Sequence, residues 1–582
     1  MRAPELTGSG GWLNTGGRAV SLKDLRGSFV LADFWTFCCV NCLHVLDELR
    51  PLEERFSDVL TVVGVHSPKF AHEAVHDNVV AAVERYAIAH PVLDDPDLTT
   101  WKQYAVRAWP TLVLIDPEGY VVHVASGEGH VEGIGRLLEE LVVQHEAKGT
   151  LKRGGGPYVP PPPTASPLLF PGKALRLPDG TLLVSDSAHH SLVVLDEDAV
   201  VRRIGTGLRG RADGLRPSFG EPQGLCLLPD GRVVVADTAN HLLRVLDLAT
   251  GAVATLAGTG TPWRPGDATS GPALEVNLST PWDVAVWEGE VVIAMAGTHQ
   301  LWGLADDEVH VIAGTTGEGL RDGAAKTAYL AQPSGLAAGT DRLWFADAET
   351  SALRFLQAGE IGTAVGHGLF DFGHQDGAAQ QALLQHPLGV TALPDGSVAI
   401  SDTYNGAVRR YDPATDKVTT LIVGLAEPSD AVVDGEHLLV VESAAHQVTR
   451  WRLPAEALIV NGVAQRTQRP AIDLAPGPIA LEVVFTPPPG QQLDESFGPS
   501  TRLTVSASPP ELLLKGAGTT TELRRSLVLA AVEGVLHVSA TAASCDSGAE
   551  HAACHVTQQD WGIPVHPVVG GDDRVALVLN GL

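Results

Sequence analysis

Over the first 150 residues, short apolar runs alternate with segments whose apolar positions recur every three or four residues. Phe29-Val30-Leu31-Ala32 reads as a buried strand, Leu43 to Phe56 as a helix, and Leu60-Thr61-Val62-Val63-Gly64-Val65 as a second buried strand. Val75, Val79, Val80, Val83 and Tyr86 fall at helical spacing and predict a helix over Glu73 to Ala89. A third strand, Thr111 to Asp116, turns at Pro117-Glu118-Gly119 into Tyr120-Val121-Val122-His123-Val124, and a helix over Val131 to Glu146 closes the unit. Strand, helix, strand, helix, hairpin and helix in that order predict an α/β sheet.

The pattern then changes. Gly154-Gly155-Gly156-Pro157 and the run Pro160 to Pro163 mark a linker, and four successive prolines predict a stiff polyproline II spacer that holds two domains at a set distance. From Phe170 onward a unit recurs, with copies beginning at Pro171, Pro222, Pro281, Pro333, Pro387 and Pro428. Fourteen or fifteen residues into each copy stands an acid or its substitute: Asp186, Asp237, Met295, Asp347, Asp402 and Glu442. Two short β-runs separated by turns such as Pro178-Asp179-Gly180, then two further runs, give four strands per copy and a six-bladed β-propeller. The recurring acid is expected to bond turn backbone within its blade and to take no catalytic part. Loops such as Arg321-Asp322-Gly323 and Gln375-Asp376-Gly377 offer carboxylates around an axial channel, but no ligand spacing names a metal, and His189, His190, His241, His299, His367 and His446 read as ordinary repeat positions. After about Leu453 the repeat stops. Alternating segments such as Ala480 to Phe485, Arg502 to Ala507 and Gly534 to Ser539 predict a small antiparallel sandwich. The expected division is an α/β domain over 1–147, a Gly/Pro-rich linker over 148–167, a propeller over 168–458 and a C-terminal β-sandwich over 459–582.

Composition narrows the partners. Among 582 residues, 40 basic against 69 acidic side chains give a formal charge of -29, a field that repels phosphate backbones and anionic membranes. Neither nucleic acid nor a membrane is an expected partner. Met1-Arg2-Ala3-Pro4-Glu5 leads into Gly, Ser and Thr without the apolar core of a secretory leader, and six cysteines in a chain this long make no disulfide framework. A cytoplasmic location is expected.

The candidate chemistry lies in Asp33-Phe34-Trp35-Thr36-Phe37-Cys38-Cys39-Val40-Asn41-Cys42. Cys39 falls where a strand hands over to a helix, with Cys42 one turn further on. Unpaired N–H groups at a helix N-terminus stabilise a thiolate, which makes Cys39 the expected nucleophile and Cys42 the thiol that resolves its mixed disulfide. Pro51, nine residues beyond Cys42, predicts a kink or restart of the helix near Arg50.

Asp33-Phe34-Trp35, three intervening positions and Cys-x-x-Cys resemble a thioredoxin-fold active site, and the Val-Asn middle pair is closer to the redoxin branch. Val63-Gly64-Val65-His66-Ser67-Pro68-Lys69-Phe70 and Arg107-Ala108-Trp109-Pro110-Thr111 continue the likeness. The Asp followed by Thr, Asn and His in the repeat resembles the NHL repeat, so the whole resembles the thioredoxin-like/NHL-propeller family. The likeness is close to about residue 145, good through the repeats and weak after about residue 460. It implies a cis Pro110 facing the cysteine pair, with Trp109 backbone open to a substrate strand. It also implies that Asp33 is the buried acid that moves protons to and from Cys42, with Trp35 part of the same motif. Cys38 stands where the family usually has Trp, either as a small packing group or as a competitor for Cys42. Cys545 and Cys554 flank a polar six-residue tip; a reversible disulfide and two unlinked thiols both remain open, and the pair weakly resembles sandwich domains that trade disulfides with thioredoxin-like modules.

The functional expectation is a thiol:disulfide oxidoreductase with protein clients and a recycling reductase, its propeller docking a protein partner. It needs no cofactor beyond the redox-active Cys39–Cys42 disulfide, and no metal. The alternative is a non-enzymatic scaffold built on the same two folds.

Overall fold

The computed structural model describes residues 1–453, 465–467, 471–487, 491–493, 499–546 and 554–579. Two compact units emerge, one comprising Met1–Pro162 with Gln468–Leu582 and the other Pro163–Thr467.

The N-terminal α/β fold contains β1 (Gly11–Leu13), β2 (Phe29–Trp35), α1 (Val40–Arg55), β3 (Leu60–His66), α2 (His76–Arg85), β4 (Val92–Asp94), α3 (Thr99–Gln103), β5 (Thr111–Ile115), β6 (Val121–Ser126) and α4 (Val131–Lys148). The sheet runs β1-β4-β3-β2-β5-β6. β2 lies parallel to β3, with Asp33 beside Gly64 and Trp35 beside His66, and antiparallel to β5. Both faces are covered, which is why β2 and β3 are continuous apolar runs. Phe29 and Leu31 pack with Val45, Leu49 and Leu138 on the side of α1 and α4, while Val30, Ala32 and Phe34 join Leu22, Leu93 and Val113 on the other. Strand alternation puts Asp33 and Trp35 on the α1 side with Phe29 and Leu31.

Three local expectations change. α1 runs without a break from Val40 to Arg55 and contains Pro51, so the expected restart near Arg50 does not occur; buried Leu49 and Leu52 hold the turn on either side. The segment expected as one helix over 73–89 splits into a single 3-10 turn at His72–Ala74 and α2, with buried Glu73 facing inward. The linker is no free spacer along its first half. Lys152 N–H donates to Gly27 O (2.7 Å), Gly154 to Asp58 O (2.8 Å) and Val159 to Asn14 O (2.8 Å), strapping it onto the α/β domain.

Six sheets form the propeller, their first strands starting at Pro171, Pro222, Pro281, Pro333, Gly389 and Pro428. The third, fourth and fifth gain an outer fifth strand (Ser270–Pro272, Gly323–Ala324, Gly377–Ala378); the sixth has three strands among the described residues. Side chains tie each blade to the next, as where Thr238 Oγ1 donates to Pro281 O (2.7 Å). The ring closes where Ser429 Oγ donates to Gly172 O (2.6 Å) and Ala174 N–H to Asp430 Oδ2 (3.0 Å).

The recurring acids end each second strand, buried. Asp402 accepts Gln385 N–H (2.7 Å), Asn405 Nδ2 (2.8 Å) and Arg409 Nη1 (2.9 Å); Asp237 repeats the set with Gly220, Asn240 and Arg244, and Asp347 accepts from Ala331, Arg354 and, in the Asn place, the Thr350 hydroxyl. Asp322 and Asp376, expected as open channel carboxylates, instead bond Arg354 and Arg409 from the far side. Several repeat histidines latch blades together: His190, His241, His299 and His446 accept backbone N–H from Glu221, Thr280, Gln332 and Phe170 of the next blade through Nδ1.

The C-terminal residues form two sheets around one core. Leu503, Leu536, Val538 and Trp561 of the first meet Leu481, Leu527 and Leu577 of the second. Two pairings, Ile472–Leu474 with 565–567 and Gly477–Phe485 with Arg574–Leu579, are parallel, so the sandwich is not wholly antiparallel. In the hairpin Gly534–Asp546/Cys554–Pro567, Cys545 lies directly opposite Cys554 in register. Their side chains, and the tip at 547–553, lie outside the described residues.

Candidate redox site

The site is built where β2 ends. Cys39 is the N-cap residue of α1, with φ -87° and ψ 112°, and Cys42 sits in the first turn, its N–H donating to Cys39 O (3.0 Å). The helix therefore starts three residues before the expected Leu43, and both sulfurs belong to its N-terminal turn. Neither cysteine forms a disulfide, nor do buried Cys38 and Cys226. Cys39 is 7% exposed and Cys42 fully buried, so Cys39 is the sulfur a partner reaches first. Burial, then the hydrogen bond with the Cys39 thiol, hold the Cys42 thiol well above its ordinary pKa.

Asp33 lies fully buried beneath. Neither carboxyl oxygen has a hydrogen-bond partner among the described residues. Burial, aided by the negative charge of Glu53, pushes its pKa up to about 8, so it is mostly protonated at neutrality. Its proximity also raises the Cys42 thiol. The Trp109–Pro110 peptide is cis. Trp109 stacks on Trp101 at 4.2 Å between ring centroids, and its indole N–H donates to Ser67 O (2.8 Å), which fixes the loop before β5. Trp35 packs edge-on against His66, and Phe37 stacks on the same imidazole at 5.3 Å. Burial pulls the His66 pKa down to about 3, leaving it neutral.

Glu73 was legible only as an acid at a helix start. It is fully buried and accepts four hydrogen bonds: Thr36 Oγ1 (2.6 Å) and Cys38 N–H (2.9 Å) on one oxygen, Lys69 N–H (2.9 Å) and Phe70 N–H (3.0 Å) on the other. One carboxylate thus pins the residues leading into Cys39 to the loop after β3. The backbone of Cys38 is held by this clamp while its side chain packs in the interior. The sequence signal is an acid shortly after Ser67-Pro68-Lys69-Phe70, a turn with unpaired N–H groups.

Cys545 and Cys554 belong to the C-terminal sandwich, and nothing described joins them to Cys39. Among the described residues Asp116, Glu118 and His145 could bring three metal-ligand atoms together, but His145 Nδ1 is engaged with Thr150 Oγ1 (2.8 Å) and Lys148 Nζ stands 3.7 Å from Glu118. No helix among the described residues is long and apolar enough to cross a membrane.

Residues 27–121 match a family model described as thioredoxin-like, and residues 219–246 match one described as the NHL repeat. Fold and site together define a thioredoxin-like domain joined to an NHL-type propeller, with a β-sandwich at the C-terminus. The chain is 34% identical to NHL repeat-containing protein 2 of Homo sapiens over 569 residues, covering 87% of this chain and 76% of that one. It belongs to the NHL repeat-containing protein 2 family. It is also 37% identical over 464 residues to Protein SUPPRESSOR OF QUENCHING 1, chloroplastic, of Arabidopsis thaliana, covering 75% of this chain; it spans 44%, about half, of that relative's length. The N-terminal domain is similar to thiol-disulfide oxidoreductase YkuV of Bacillus subtilis, 23% identical over 144 residues, 25% of this chain and 95% of that one.

Proposed function

We propose that the chain is a thiol:disulfide oxidoreductase acting on protein clients, with the propeller as the platform that docks them. The observation that carries this is a pair of free thiols in one helical turn, Cys39 nearer the surface and Cys42 hydrogen-bonded beneath it, over a buried protonated Asp33. In the forward direction the Cys39 thiolate attacks a client disulfide, forms a mixed disulfide and releases one client thiolate. Cys42 then attacks Cys39 Sγ, closing the Cys39–Cys42 disulfide and releasing the second client sulfur as a thiolate, while its own proton passes to the ionised fraction of Asp33. The two electrons return from the dithiol of a recycling reductase. Trp109 backbone, presented beside cis-Pro110, pairs with the extended client strand. The Cys pair itself carries the electrons, so the reading needs no cofactor. The lack of a disulfide framework supports a reducing compartment, and the cytoplasm is our assignment.

Replacing Cys42 by Ser removes the resolving thiol, so Cys39 is expected to accumulate as mixed disulfides with clients in lysate, recovered by affinity capture and released by dithiothreitol. Cys38→Ser/Cys42→Ser removes the neighbouring thiol that could resolve in its place. If neither variant captures an adduct that is lost on a further Cys39→Ser change, the scaffold reading replaces this one.

A further inference from the structure

A second set of polar groups lies beneath the redox pair and leads away from it. β2, β3 and the segment just before β4 present Asp33, Trp35, Gly64, His66 and His90 toward α1. Gly64 is the neighbour of Asp33 in the parallel register. A β-carbon there would lie 2.9 Å from Trp35 Nε1, 3.2 Å from His90 Nε2 and 3.3 Å from Val92 Cγ2, so both ring nitrogens crowd the glycine and come together beside it. Neither nitrogen has a hydrogen-bond partner among the described residues, and neither do the two oxygens of Asp33. His90 is 4% exposed, and its other nitrogen, Nδ1, meets Glu53 Oε1 at 3.0 Å. The Glu53 side chain is 23% exposed and so reaches solvent. A Nδ1–H held by Glu53 leaves Nε2 as the acceptor facing Gly64. Two ring nitrogens beside Gly64 and two carboxyl oxygens on the neighbouring strand, all buried and without a partner among the described residues, are groups that a buried water joins.

We propose that His90 and Glu53 form the proton outlet of the redox site, connecting Asp33 to solvent through a bridging water. This rests on the oxidoreductase reading above. In the resolving step Asp33 takes the Cys42 proton. Asp33 then passes a proton through the bridging water to His90 Nε2, His90 releases its Nδ1 proton to Glu53, and Glu53 loses it to bulk solvent. One proton leaves Cys42 and one reaches solvent, with the electron pair staying in the new Cys39–Cys42 bond. The groups facing this path are Asp33 from β2, Cys39, Cys42 and Glu53 from α1, His66 from β3, and His90 and Asp94 at β4. Asp94 is engaged by His76 Nδ1 at 2.8 Å, and burial keeps His66 neutral. His90 and Glu53 touch neither sulfur in this scheme. They are positioning and relay residues.

The test uses the full chain in a Cys38→Ser background, with glutathione disulfide as the probe. Two rates are followed by acid quenching and mass spectrometry between pH 6 and 9: formation of the Cys39–glutathione adduct, and its resolution by Cys42. Glu53→Gln and His90→Ala are expected to slow resolution about tenfold near neutrality while leaving adduct formation unchanged. Imidazole added to His90→Ala is expected to restore the resolution rate. Resolution as fast as in the parent, or slowing of both steps alike, overturns the outlet and leaves the oxidoreductase reading standing. Failure of the parent to form the adduct overturns both.

Discussion

Asp33 holds a carboxyl group in the interior with no hydrogen-bond partner among the described residues, and that has a cost whose sign is fixed. Its folded pKa, about 8, lies above the unfolded carboxylate value. The folded state therefore keeps a proton that the unfolded chain releases, and the domain loses stability as pH rises from about 4 toward 8. His66 works the other way: its pKa falls to about 3, and its contribution is lost as pH drops below about 6.5. The interval from pH 6.5 to 8 thus isolates Asp33 from His66. Asp33→Asn is expected to gain about 2 kcal/mol on the wild type across that interval. Hydrogen exchange of β2 and β3, corrected for intrinsic rates at each pH, measures it. An equal wild-type-to-mutant difference at both ends would show that Asp33 is already ionised in the fold. Cys226 supplies the reference for the thiols: burial pushes it up to about 12, so it stays inert to iodoacetamide under conditions that label Cys39.

At the scale of elements, what could be read from sequence is what depends on local pattern. The alternation and run lengths of β2, β3 and β5, the six first strands, five of them starting at proline, and the acid that ends five of the six second strands all follow from side-chain periodicity. The three-residue strands β1 and β4 carry too short a period to register, as does α3, which is little more than one helical turn. Groups whose partners are distant in sequence were also missed. Glu73 read as a helix-start acid because nothing local shows that Thr36 and Cys38, more than thirty residues earlier, donate to it. The arginines of the propeller were passed over for the same reason: Arg409 joins Asp402 in its own hairpin to Asp376 in a preceding loop. The third blade shows the substitution rule, since Met295 replaces the acid and buried Trp302 packs in the same blade. Arg409→Ala leaves Asp402 buried without its cation and is expected to destabilise the propeller by about 3–5 kcal/mol. Asp402→Met with Arg409→Leu removes both charges and is expected to cost less than the single change. Chemical denaturation monitored by exchange within residues 389–423 compares the two. A double variant as unstable as the single one would mean that the ion pair adds stability beyond satisfying its own burial.

At the scale of the molecule, the propeller closes on itself without borrowing a strand across the seam among the described residues, through Ser429, Asp430 and the His446 latch. Its acids and histidines are largely engaged in this framework. That Asp322 and Asp376 are internal partners could not be read from sequence, because Arg354 and Arg409 lie more than thirty residues away. The central claim concerns two atoms, Cys39 Sγ and Cys42 Sγ, and the most direct measurement is a redox titration of the full chain. Equilibrated in dithiothreitol or glutathione buffers and trapped by differential alkylation, Cys39 and Cys42 are expected to convert together as one two-electron couple. Its slope should be about 30 mV per decade, with a midpoint between about -270 and -120 mV. Two thiols that remain separately alkylated across that whole range would contradict thiol–disulfide exchange at this site.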